Sequence, residues 1–250
     1  MESHITKMGF SASGVSRLCA EGSGLTRLSY IYEIALNMVG CKEELSTKAI
    51  FHGIASEPAA LDILINVKGG QHNFNFETGM QESFKVNDYL SATPDAYEVG
   101  IWTGDAKCQH SIEGFIEQNS KISKAYYYQV QTQMLALKVD KAYLINYLTK
   151  PEEYGQEDWV EYKFPLEDRF YIHEISKDEA ICDEILTKAE QYHPMINLAY
   201  QQMANATILD EVEFFYSQPK NSLKYKPLKD WWVNNETEVF RFNNKFYIKK

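Results

Sequence analysis

The apolar residues of this 250-residue chain change period along its length, and that change restricts the folds open to it. Between residues 25 and 39, Leu28, Ile31, Ile34, Ala35 and Met38 recur at helical spacing. A shorter apolar-sided segment at 13–19 precedes them, broken by Gly22-Ser-Gly24, and residues 47–67 continue the helical period with Pro58 inside. From 73 to 107 the pattern becomes short runs divided by turn residues. The runs 73–77, 82–86, 97–101 and 104–108 predict strands of a small sheet. Residues 123–138 return to helical spacing and 141–148 read as a buried strand. Two more strands are expected at 159–164 and 170–175, with an acidic turn at Leu166-Glu-Asp168. Ser176 and Glu179 have the spacing of a capping box that opens a helix to about residue 206. Helices, strands, helix, strands, helix is the order of an α/β (α+β) domain, a small mixed sheet flanked by helices. The expected domain spans 1–208. Residues 209–250 form an extension, with a loosely specified linker at 217–229 and a β-hairpin about Asn243-Asn244, a pair that tolerates tight turns.

Composition excludes several classes. At 44% hydrophobic and 24% charged residues the chain has material for a closed core, so it is neither disordered nor fibrous. No apolar run approaches the ~20 residues of a membrane helix, and the first residues lack the basic-then-apolar pattern of a secretory signal, so the chain reads as cytosolic. Cys19, Cys41, Cys108 and Cys182 stand far apart with no CxxC spacing, which predicts reduced thiols and no zinc or iron–sulfur centre. The net charge is −10, and residues 151–200 hold most of the excess. That argues against a protein that coats DNA through its own surface charge. It leaves open an enzyme that reaches a phosphate through a metal ion.

The stretch with chemistry in it is Thr93-Pro-Asp-Ala-Tyr-Glu-Val-Gly-Ile-Trp-Thr-Gly-Asp-Ala-Lys107. Asp105 and Lys107, two apart on an expected strand, share a face. Asp95, just after Pro94, can approach Asp105 across a hairpin. Two carboxylates and a lysine converging in this way suit a hard cation such as Mg²⁺, which polarises a scissile phosphate while the lysine orients the attacking water. At average residue frequencies, and allowing a dozen spacings, such a motif arises in about one chain in fifteen, so its surroundings have to carry it. Upstream, Glu57 sits in an otherwise small and apolar helical segment, His52-Gly-Ile-Ala-Ser-Glu57-Pro-Ala-Ala60. Downstream, Tyr126, Gln129 and Gln133 make one polar face of a helix whose apolar face is Val130, Met134 and Leu137.

Together and in this order, Ser11-Ala-Ser13, the His52–Ala60 segment just quoted, Ser91-Ala-Thr-Pro-Asp95, Asp105-Ala-Lys107-Cys108 and Tyr126-Tyr-Tyr-Gln129-Val-Gln131 resemble the phage lambda exonuclease and YqaJ-like viral recombinase branch of the PD-(D/E)xK nucleases. The resemblance covers residues 11–147 and implies a restriction-endonuclease-like core. It implies that Asp95, Asp105, Glu57 and the backbone carbonyl of Ala106 hold the metal, that Lys107 is the catalytic lysine, and that Gln129 belongs to the site with Tyr126 one turn earlier. Ser11 and Ser13 match the segment that approaches the DNA end and its 5′-phosphate. The chain departs from the pattern at Asp105, where glutamate is usual, at Ala96 and Gln109, where glycine and proline are common, and in having no arginine just before Ser11.

The resulting expectation is a Mg²⁺-dependent (alternatively Mn²⁺-dependent) DNA exonuclease of phage recombination type, acting 5′→3′ on duplex ends. The resemblance further implies a ring-shaped homotrimer, a single-strand annealing protein as partner, no membrane association, and a phage or prophage origin in the cytoplasm of a bacterial host. Two other readings fit the same residues: an endonuclease of restriction or repair type, and a catalytically silent DNA- or partner-binding module on the same fold.

Overall fold

In a computed structural model the chain is described over residues 9–22, 24–38, 48–75, 78–149, 164–204, 206–209, 239–242 and 245–249. It divides into two compact units, one of Ser11–Ser16 with Glu44–Thr187, the other of Met1–Phe10, Arg17–Glu43 and Lys188–Lys250. In chain order the helices are α1 (Val15–Leu18), α2 (Leu25–Met38), α3 (Lys48–Lys68), α4 (Ile112–Ser120), α5 (Lys124–Leu137) and α6 (Glu179–Ala204). The strands are β1 (Phe10–Ser11), β2 (Gln71–His72), β3 (Phe74–Asn75), β4 (Met80–Gln81), β5 (Phe84–Asn87), β6 (Leu90–Ala92), β7 (Ala96–Glu98), β8 (Trp102–Gln109), β9 (Lys141–Leu148), β10 (Phe170–Ser176), β11 (Ala206–Leu209), β12 (Val239–Phe242) and β13 (Lys245–Lys249). This is the mixed α/β architecture that the change of period predicts.

The larger unit is built on a five-stranded sheet in the order β10-β9-β8-β7-β2. Strands β8 and β9 run parallel, from Thr103↔Ala142 to Gln109↔Leu148, and the other neighbours are antiparallel. Parallel neighbours need a crossover, which α4 and α5 supply. Strand β9 is apolar on both faces because both are covered. On one side Ala60, Leu61 and Leu64 of α3 pack against Trp102, Ala106, Tyr143, Ile145 and Tyr147. On the other, Val130 and Met134 of α5 pack with Val139, Ala142, Leu144 and Ile175. Gly104 lets α3 lie close on β8: a Cβ there would stand 2.9 Å from Trp102 Cζ3 and 3.0 Å from Leu64 Cδ2.

Several local expectations are revised. The run expected as one strand at 97–101 breaks at Gly100, whose φ of +71° makes the turn between β7 and β8; Ile101 N–H closes it on Glu98 O at 3.0 Å. Helix α4 was not anticipated; Ser111 caps it, its Oγ accepting Gly114 N–H at 3.1 Å. Asp178, not Ser176, caps α6, its Oδ1 accepting Ile181 N–H at 3.2 Å. Ser176 cannot serve because it is the last residue of β10, paired with Lys141. All of the expected strand at 159–164 except Phe164, the linker at 217–229 and the Asn243-Asn244 turn lie outside the described residues.

In the other unit, Arg27 of α2 gathers the chain. Its Nε and Nη2 donate to the carbonyls of Leu18 and Ala20, each at 2.6 Å, and its Nη1 to Tyr192 Oη at 2.9 Å. Arg17 pairs with Glu33 at 2.7 Å and lies over the Tyr30 ring. Strands β12 and β13 pair antiparallel from Val239↔Ile248 to Phe242↔Lys245, and β11 pairs with β13, making a three-stranded sheet in the order β11-β13-β12.

Candidate active site

The site is assembled from four neighbouring segments of the larger unit. Asp95 stands at the bend before β7, fixed through its backbone: its N–H donates to Gly104 O at 3.0 Å and its carbonyl accepts Asn73 N–H at 2.9 Å. The Asn73 side chain holds the bend from behind. Its Nδ2 donates to Pro94 O at 2.7 Å and to Glu82 O at 2.8 Å, and its Oδ1 accepts Glu82 N–H at 3.2 Å. So held, Asp95 reaches across the β7–β8 hairpin, and its Oδ2 accepts Ala106 N–H at 2.9 Å. Asn73 had no place in the sequence expectation, since its partners lie nine and twenty-one residues away.

Asp105 and Lys107 project from one face of β8, as strand alternation requires. The Asp105 side chain is 2% exposed and that of Lys107 19%, and Lys107 Nζ forms an ion pair with Asp105 Oδ2. The ammonium also lies over the Tyr126 ring, 4.6 Å from its centroid. Helix α5 presents two amides to the other carboxylate oxygen. Gln129 Nε2 donates to Asp105 Oδ1 at 2.7 Å and Gln133 Nε2 to the same atom at 3.0 Å. The 3-10 turn Ala12–Gly14 packs on the same helix, with Ser11 and Ser13 exposed at its start and their hydroxyls 3.2 Å apart.

Electrostatics ties Glu57, on α3, to this group. Burial raises the Glu57 carboxyl above its ordinary value and the charge of Asp105 raises it further, against the downward pull of Lys107 and His72. Asp95 is raised well above the usual carboxylate range, first by burial, then by Asp105 and Glu57; the Ala106 N–H and Lys107 oppose the shift. For Lys107 burial alone would lower the ammonium, but the charge and hydrogen bond of Asp105, with Asp95 behind it, outweigh burial and hold it protonated. Three carboxylates therefore share one ammonium. A structural ion pair needs one acid for one base; two further carboxylates, both raised by burial and by the charge of Asp105, weaken the fold and suit a site that takes up positive charge.

The donor set fits a divalent cation on that ground: hard oxygens in excess of the available positive charge. Among the described residues no three His, Cys, Asp or Glu side chains are already drawn together as a cage. The residues that would hold the ion are Asp95, Asp105 and Glu57 with the carbonyl of Ala106. His52 and His110 make a separate edge-to-face pair with ring centroids 5.8 Å apart, and His72 Nε2 is 2.8 Å from Asp62 Oδ1.

No family model and no curated protein matches the sequence. Solved structures do. An alkaline exonuclease from Laribacter hongkongensis superposes with a TM-score of 0.63 at 18% identity, over 80% of this chain and 93% of that one; it is also known in complex with dAMP. A phage-related exonuclease from Haemophilus somnus 129PT superposes with a TM-score of 0.65 at 18% identity, over 78% and 96%. The shared architecture spans nearly the whole of both neighbours, and this chain has the fold of the alkaline and phage-related exonucleases.

Proposed function

We propose that this chain is a metal-dependent DNA exonuclease that hydrolyses phosphodiester bonds at duplex ends, 5′→3′, in phage-type recombination. The observation that carries the reading is the joining of Asp95, Asp105 and Lys107 across one hairpin with Glu57 in the same electrostatic field. The fold it shares with exonucleases, and the binding of dAMP by one of them, support the choice of substrate. The resemblance noted in the sequence extends the reading to a homotrimer working with a single-strand annealing protein.

When bound, Mg²⁺ or Mn²⁺ would polarise the scissile phosphate and acidify a water molecule. Asp95, Asp105, Glu57 and the Ala106 carbonyl would hold it. Lys107, protonated and steadied by the Tyr126 ring, orients the attacking water and donates to the phosphoryl oxygens as negative charge builds on them. Gln129 keeps the Asp105 carboxylate facing Lys107. Ser11 and Ser13 offer exposed hydroxyls to a terminal phosphate.

The test is digestion of linear duplex DNA labelled at the 5′ end in one reaction and the 3′ end in another, with Mg²⁺ and with chelator, beside a closed circle. Mg²⁺-dependent release of the 5′ label with the circle intact is the expected result. Opening of the circle would make the chain an endonuclease. No digestion in Mg²⁺ or Mn²⁺ would make it a silent binding module.

A further inference from the structure

Gln133 has no part in the mechanism above, yet its placement is unusual for a core residue. It is wholly buried, and its Nε2 donates to Asp105 Oδ1 at 3.0 Å, the oxygen that Gln129 also contacts. Its own Oε1 is buried with no hydrogen-bond partner among the described residues. An orphaned buried carbonyl destabilises a fold, and methionine would fill the same space without one. Packing therefore does not account for a glutamine here; the contact with Asp105 does.

Each carboxylate oxygen offers two lone-pair directions. Two amide donors, one helical turn apart on α5, both go to Oδ1, as many as that oxygen can accept, whereas Oδ2 pairs with Lys107. The terminal torsion of an aspartate is soft, so one donor would leave the carboxylate free to turn. Two donors from one rigid helix, with an ammonium on the opposite oxygen, do not.

We propose, resting on the metal-site reading above, that Gln133 is a positioning residue: with Gln129 it forms an amide clamp on Asp105 Oδ1 that fixes the carboxylate so that Oδ2 is presented to the divalent cation. Residues that orient a ligand in this way are typically worth about 10–100-fold in metal affinity.

The experiment titrates the full-length chain with Mn²⁺, following the free-ion signal by electron paramagnetic resonance, alongside thermal melts in chelator. Gln133→Met should weaken Mn²⁺ binding about 10–100-fold while its melting temperature in chelator stays equal to or above that of the parent. Gln131→Met, changed on the opposite side of the same helix, should leave Mn²⁺ affinity within twofold and controls for general loosening of α5. Gln133→Met that binds Mn²⁺ as tightly as the parent overturns the clamp and leaves the metal site standing. A sharp loss of melting temperature in chelator makes Gln133 a structural residue and also overturns it. A parent chain that binds no Mn²⁺ removes the metal-site reading and the clamp with it.

Discussion

Lys107→Met tests the charge balance of the site most directly, because methionine keeps the length of the side chain and removes only the ammonium. Lys107 is the cation paired with a carboxylate that is 2% exposed, and it moderates two others, Glu57 and Asp95. Removing one partner of a buried pair costs about 3–5 kcal/mol. The low end applies here, since a fifth of the lysine side chain is exposed and Asp105 keeps the amides of Gln129 and Gln133. A loss of about 3 kcal/mol lowers the melting temperature of a chain this size by about 6–12 °C. That loss should appear in chelator, and saturating Mg²⁺ should raise the melts of parent and variant alike, because an ion bound only to the folded state adds about 2.7 kcal/mol at a hundred times its Kd. Activity should fall about 10²–10⁴-fold, the usual worth of a positioned proton donor or acceptor, with little change in KM for DNA. The assay is a fluorescence melt in EDTA and in Mg²⁺, read beside the rate of 5′-label release. A variant that melts within 2 °C of the parent in chelator would show that Lys107 does not offset the carboxylates. One that cleaves within tenfold of the parent would remove it from the chemistry.

Three further outcomes follow from the same contacts. Asp95 and Glu57 both have raised carboxyls, so their contribution to stability is full below the ordinary carboxylate range near pH 4 and is lost as pH rises through their folded values. Asp95→Asn should therefore melt higher than the parent in chelator at pH 8, lose that advantage at pH 4, and abolish the stabilisation by Mg²⁺, all read from melts across pH. Gln131 spans the start of α6, its Nε2 on Ser176 O at 3.0 Å and its Oε1 accepting Asp178 N–H at 2.9 Å. Gln131→Leu takes the side-chain partner from two part-buried backbone groups and should cost about 1–3 kcal/mol by denaturant melt, with cleavage per folded molecule retained. Cys182 is buried and its thiol is pushed up to about 11, chiefly by that burial. Iodoacetamide at pH 8 should leave it unlabelled in the native protein and label it after denaturation, as peptide mass mapping would show.

What was legible in the sequence was whatever depends on near neighbours. Strands β8 and β9 and helix α5 could be read from period alone, and β8 put Asp105 and Lys107 on one face. What escaped depends on distant partners or on a pattern too short to repeat. Helix α4 buries only Phe115, with Ile112 38% and Ile116 60% exposed, and although these three keep helical spacing, its nine residues are too few for the period to repeat. Asn73 acts entirely through long-range hydrogen bonds. The Ser176–Glu179 spacing matched a capping rule, but a strand had already claimed the serine and left the role to Asp178.

Helix α5 shows why core and site cannot be separated in this fold. At 100° per residue, Gln129 and Gln133 fall together and Gln131 falls about 200° away. The first two meet Asp105, and the third holds the β10–α6 junction. Val130 and Met134, in the phase between, enter the core beside Leu144 and Ile175. Tyr126, a turn before the first clamp residue, closes over Lys107. A rotation of this helix that improved its packing would withdraw both amides from the carboxylate. The apolar contacts of α5 thus set the direction in which Asp105 points, and the core residues hold the chemistry in register without touching it.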